Sequence, residues 1–176
     1  NNHNYNLNID IQNAHHQEIN QDIYVSPNGN DNNDGLSPDT PLKTIHEGIY
    51  RIASDSLNQR VVNILPGVYS RTDNDQIFPI ALKSWVNVQG SGIDTTTVIC
   101  EPHPSIPLGY GYWDKVFRAT KSEIVTLSDM TLLSRDTANC GVIRGNKGSV
   151  VCLRNIRIDA VCPDYAAVIR LSSSSA

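Results

Sequence analysis

The chain has 176 residues, a formal net charge of −4 and a pI near 5.6. That is the size of one domain, able to bury about 70% of its unfolded surface, and the acidic balance argues against nucleic acid as a partner. No apolar run is long enough to span a membrane. No signal peptide is visible in the polar, Asn-rich start, which fits a mature end after processing or an expression boundary.

Residues 1–22 form an almost wholly polar extension. Within it Tyr5, Leu7, Ile9 and Ile11 alternate with Asn4, Asn6, Asn8, Asp10 and Gln12, which is strand periodicity. Such a strand, over 5–11, would lie along the domain's edge or pair with a neighbouring molecule. Residues 13–22 read as a disordered leader.

A cap region is expected over 23–60. Ile23-Tyr24-Val25 reads as a short strand, and Ser26 to Pro41 as a loop dense in Asn, Asp, Gly and Pro. Thr44 and Glu47 form a T-x-x-E capping box. It opens a predicted helix over 44–56 whose apolar face is Ile45, Ile49, Ile52 and Ala53. Arg51, Asp55 and Asn58 would face water. The helix would cover a first coil that otherwise exposes apolar core and unpaired backbone.

Residues 61–176 read as a stack of coils. Val116-Phe117-Arg118, Val142-Ile143-Arg144 and Val168-Ile169-Arg170 recur at a fixed step of 26, since 142 − 116 and 168 − 142 are both 26. Val125, Leu127, Met130 and Leu132 map at the same step onto Val151, Leu153, Ile156 and Ile158. Steps of two are strand spacing, and the step of three between Leu127 and Met130 marks a bend. Short strands, bends and a constant period predict an all-β fold: a parallel β-helix of about four coils with a short N-terminal capping helix, adjacent coils about 4.8 Å apart. Val86 and Val88 precede Val125 and Leu127 by 39, about 13 more than the period, so an inserted loop is expected, placed within 101–114. Val62 and Ile64, 24 residues before Val86 and Val88, mark the first coil.

The four cysteines, Cys100, Cys140, Cys152 and Cys162, contain no C-x-x-C pair, which disfavours a zinc ribbon. Cys100 lies 14 after Val86, and 14 after Val125 is Asn139, which would make Cys100 and Cys140 neighbours on successive coils. A disulfide there would stabilise by about 4 kcal/mol in the chain-entropy model. The alternative is four reduced cysteines packed as small apolar residues. Cys152 falls between inward positions and should face outward beside Thr126.

The segments Tyr24-Val25-Ser26-Pro27-Asn28-Gly29-Asn30-Asp31, Asp34-Gly35, Pro41-Leu42-Lys43-Thr44-Ile45, Asn63-Ile64-Leu65-Pro66-Gly67-Val68-Tyr69 and Val88-Gln89-Gly90-Ser91-Gly92 resemble the opening of secreted bacterial right-handed β-helix proteins. These belong to the pectin-lyase-like superfamily, in the branch labelled domain of unknown function (number 1565). Similar openings precede the helix of family 9 pectate lyases. The resemblance covers about residues 23–100. It implies the fold and a secreted or cell-surface location, while activities among proteins with this opening range from polysaccharide lyase to none assigned.

Candidate chemistry is sparse. Arg118, Arg144 and Arg170 should stack as a column, with neighbours repelling by roughly 1 to 3 kcal/mol unless they splay into water, pair with acids, or grip a carboxylate-bearing glycan. Tyr110, Tyr112 and Trp113, beside His103 and Asp114, would either stack on sugar rings or cover the coil beneath. Asp31 and Asp34 sit in a run that suits a calcium ion, although Pro41 stands where an EF-hand needs Glu and Asx-turns explain the same residues. Asp129 aligns with Asn155, Asp136 with Cys162 and Asp159 with Leu133, so no aspartate column of the lyase type exists. No catalytic residue carries over from the lyase relatives; an enzyme, if present, would be a polysaccharide lyase or glycoside hydrolase. No other cofactor motif is visible.

Two functions remain open. The favoured one is an extracellular structural or surface-assembly subunit, self-associating through an open last rung and the strand at 5–11; repetition of such a contact yields a filament. The other is a polysaccharide-binding module, or the front part of a polysaccharide-degrading enzyme.

Overall fold

The structure, a computed structural model, describes residues 18–101, 115–120, 124–135, 141–145, 148–160 and 169–171. It consists mainly of short parallel strands whose sheets curl around one apolar core, as an all-β helix-like fold requires.

Three strand ladders run side by side. The first stacks β1 (Ile23–Val25), β2 (Arg60–Ile64), β5 (Val86–Gln89), the first arm of β8 (Ile124–Ser134) and the first arm of β10 (Val150–Ala160). The second stacks β3 (Gly67–Tyr69), β6 (Thr96–Cys100) and the second arms of β8 and β10. The third stacks β4 (Ile80–Ala81), β7 (Lys115–Ala119), β9 (Gly141–Gly145) and β11 (Ile169–Leu171). Every pairing is parallel, so each ladder places like faces over like.

The 26-residue repeat behaves as expected where both members are described. Val125 pairs with Val151, Leu127 with Leu153, Met130 with Ile156 and Leu132 with Ile158. On the third ladder Phe117 pairs with Ile143 and Arg118 with Arg144, which in turn pairs with Arg170. Cys152 lies opposite Thr126 and is exposed.

Register differs from expectation in the earlier coils. Val62 pairs with Val88, a step of 26 rather than 24. A slip of two keeps every side chain on its own face, so hydrophobic alternation cannot detect it. Val88 pairs with Leu127 at a step of 39, but Val98 pairs with Leu132 at a step of 34. Five of the thirteen extra residues therefore sit between β5 and β6, in the Gly90–Thr95 turn, and only eight between β6 and β7. The same slip places Cys100 opposite Ser134, which removes the register argument for a Cys100–Cys140 bridge. Cys100 is buried, Cys140 lies outside the described residues, and no disulfide links described residues.

The helix α1 (Ile45–Arg51) is shorter than 44–56. Thr44 caps it, its Oγ1 accepting from the Glu47 amide at 3.2 Å. Ile52 turns to an extended conformation and bridges Ile19, with Ile19 N–H donating to Arg51 O and Ala53 N–H to Ile19 O. A backbone partner thus ends the helix where apolar spacing alone would continue it. Residues 18–22 are consequently no leader: Ile19 packs against the core and Glu18 pairs with Lys83 at 2.7 Å. Ile45, Ile49 and Ile52 are buried as expected, and α1 packs on β1, β2 and β4. Gly48 permits that approach, because a Cβ there would sit 2.9 Å from Val25 Cγ2.

Arg51 does not face water. Its guanidinium donates to the carbonyls of Asp31 and Asn33, and to Glu47 Oε1 at 2.7 Å. One side chain thereby ties the Asn-rich loop to the helix it precedes.

Candidate functional site

The sharpest local feature lies along the corner between the first and second ladders. There β8 and β10 each bend through one residue in the left-handed region, Asp129 at φ 59° and Asn155 at φ 51°. Asn and Asp tolerate that conformation better than other non-glycine residues. The step of three in the apolar pattern is this corner. Its inward neighbours Leu127 and Met130 are fully buried while Asp129 points outward and is half-buried.

Corner residues line up along the stack. Tyr24 pairs with Asn63, Asn63 with Gln89, and Gln89 with Ser128, next to Asp129. Gln89 Nε2 donates to Asp129 Oδ2 at 3.3 Å, and Asn155 Nδ2 to Asp129 Oδ1 at 2.9 Å. The row Tyr24, Asn63, Gln89, Asp129, Asn155 spans four strand spacings, about 19 Å. Hydrogen bonds from Asn155 and Ser128 hold the Asp129 carboxyl below the usual aspartate range.

This row floors an open groove of about 510 Å³, walled by Ile64, Leu65, Gly90, Ser91 and Gly92. The wall is fixed rather than loose. Gly90 N–H donates to Ser128 O and Gly92 N–H to Asp129 O, both at 2.8 Å. Ser91 Oγ donates to Ile64 O at 2.9 Å, and Thr131 Oγ1 to Ile93 O at 2.6 Å. Only glycine fits at position 90, where a Cβ would enter the Asp129 carbonyl oxygen and lie 2.8 Å from Met130 Cβ.

The sequence-predicted candidates fall elsewhere. Arg118 and Arg144 stack as expected, half-buried on the third ladder, and the backbone of Arg170 continues their column. They lie on a different ladder from the groove. Tyr110, Tyr112, Trp113, His103 and Asp114 lie outside the described residues, as do Tyr5, Leu7, Ile9 and Ile11.

Asp31 and Asp34 have structural duties. Asp31 Oδ1 accepts from the Lys43 and Thr44 amides at 2.8 and 2.9 Å, and its Oδ2 from Thr44 Oγ1 at 3.0 Å. Gln76 Oε1 accepts from the next amide, Ile45, at 3.0 Å. The amides at the start of α1 are thus satisfied by side chains. Asp34 Oδ1 accepts from Leu36 N at 3.0 Å and Thr40 Oγ1 at 2.7 Å, and these bonds lower its pKa. Arg51 already places a cation on the loop's carbonyls. No cluster of three or more metal-ligating side chains occurs among the described residues.

The groove residues were missed, although a signal existed. Asn63 and Gln89 are 26 apart, as are Asp129 and Asn155. A search for identical carboxylates passes over a row of chemically related amides and acids.

Residues 27–106 match a family described as Protein of unknown function (DUF1565). That family is part of the pectin-lyase-like β-helix superfamily. The match includes seven of the groove residues, from Asn63 through Gly92. No curated protein and no solved structure matches the chain.

Proposed function

We propose that the chain is a polysaccharide-binding β-helix module acting outside the cell, with the corner groove as its glycan site. The ladder is the observation that supports this reading. Its side-chain amides and carboxylate offer donors and acceptors suited to sugar hydroxyls, repeated at each strand spacing. Hydrogen bonds between rungs hold the Asp129 end of the row in place before a ligand arrives. Tyr24 adds an aromatic ring at one end. Open, elongated geometry suits a chain ligand better than a small enclosed one. Among the described residues the groove offers one carboxylate, Asp129, whereas glycoside cleavage canonically uses a pair, which favours binding over hydrolysis. On this reading the stack comprises about four coils, with α1 covering its N-terminal end. Affinity electrophoresis in polysaccharide-containing gels tests it: retention of the parent should be weakened by Tyr24→Ala and by Gln89→Ala, and a parent that migrates freely in every gel would end the proposal.

A second reading, self-association, draws on β10. Leu153 is 36% exposed, whereas Leu127, one rung below, is fully buried. Among the described residues β10 pairs on one edge only, with β8. We propose that a strand from another copy is the occupant of that edge, burying the apolar face. Sedimentation at increasing concentration should then reveal larger species, and Ile156→Lys should abolish them. A monomer throughout would count against the contact.

A further inference from the structure

We propose that the groove selects a neutral glycan, one whose sugars carry hydroxyls and no carboxylates; this rests on the carbohydrate reading above. The arginine column suits a carboxylate-bearing glycan. The lining of the groove points away from one. Among the described residues the lining includes no lysine or arginine, and its one carboxylate, Asp129, is the fourth of the five residues in the row. A uronate laid along the ladder would bring its own carboxylate onto Asp129. At about 5 Å in a water-like dielectric the repulsion weakens binding about four-fold per opposed pair, and more as the dielectric falls.

At the rim Arg157 Nη1 pairs with Asp94 Oδ1 at 2.9 Å, joining β10 to the turn that walls the groove. Arg157 and Asp94 are thus paired with each other, and the described lining leaves amide and hydroxyl chemistry beside the Asp129 carboxylate. The arginines that could grip a uronate, Arg118 and Arg144, stand on the third ladder and cannot supply the floor of this groove.

Affinity electrophoresis of the full chain separates the outcomes, with galactomannan, xyloglucan, hydroxyethylcellulose or dextran as neutral probes and polygalacturonate as the acidic one. Retention is expected in at least one neutral gel, changing little with salt, with none in polygalacturonate. Asp129→Asn should gain measurable retention in polygalacturonate. Parent protein retained by polygalacturonate would overturn the neutral selection while leaving the carbohydrate reading standing. Retention in no gel would overturn both. A parent retained only in neutral gels, with Asp129→Asn equally blind to polygalacturonate, would overturn Asp129 as the discriminating group. The parent arms decide the selection even if Asp129→Asn does not fold.

Discussion

Gly90→Ala is the most direct test of how the groove is built. The added methyl would meet backbone: the Asp129 carbonyl oxygen, with the Met130 Cβ at 2.8 Å and the Asp129 carbonyl carbon at 3.1 Å. None of these is the end of a flexible side chain, so the turn or the corner must move. Overpacking of this kind costs about 1–3 kcal/mol. Movement also loosens the bonds from Gly90 N–H to Ser128 O and from Gly92 N–H to Asp129 O, each worth about 0.5–1.5 kcal/mol. A total near 3 kcal/mol follows, equivalent to a fall in Tm of about 6–12 °C for a chain of this size. Thermal melts followed by circular dichroism measure it. Ser91→Ala serves as the comparison, since it removes only the hydroxyl bond to Ile64 O and should cost about 1 kcal/mol. A Gly90→Ala protein melting within about 2 °C of the parent would refute the close approach of turn and corner.

Three further outcomes are expected. Leu127→Ala should cost about 3–5 kcal/mol by urea denaturation; Leu153→Ala, one rung away and partly exposed, should cost well under half of that, and equal losses would mean that β10 is covered in solution. Arg51→Ala should destabilise by about 1.5–3 kcal/mol, because it releases the carbonyls of Asp31 and Asn33 together, and amide exchange across 28–35 should quicken, whereas unchanged exchange would deny the tie. Asp129 has a lowered folded pKa; its contribution is present above the unfolded value and is lost as pH falls through the folded one. Carboxyl NMR titration should place its midpoint below 3.8, and Asn155→Ala should raise it; no upward movement would show that the Asn155 bond does not hold the charge.

The later coils were legible in the sequence because equal apolar positions pile up at one constant step. Leu127 over Leu153 and Phe117 over Ile143 need no other information. The earlier coils were not, because turns of unequal length shift each ladder separately. The offset is 39 between β1 and β2, 29 between β3 and β6, and 37 between β4 and β7. A period-two pattern keeps faces but not rungs, which is why Val62 was placed over Val86. Helix length was misjudged since Ile52 is apolar for either partner, another helical turn or the Ile19 backbone. Asp31 and Asp34 show a different limit. A carboxylate's lone pairs serve a metal or an amide equally well, and only the reach of Lys43, Thr44 and Arg51 in space distinguishes them. The groove escaped notice because its row mixes Tyr, Asn, Gln and Asp, whose common property is a position at the corner.

That corner has a wider consequence. A backbone that pivots through the left-handed region, as at Asp129 and Asn155, favours glycine or a short polar side chain at those rungs, whatever the protein is for. The Asp129 and Asn155 rungs of the hydrogen-bonding strip therefore follow from how the backbone turns, and discrimination has to be supplied by whatever stands beside them. In this chain the neighbour is the Gly90–Thr95 turn, whose five surplus residues leave the stack undisturbed. Lengthening or trimming that turn would alter what the strip admits, and trimming it would also remove its bonds to Ser128 and Asp129.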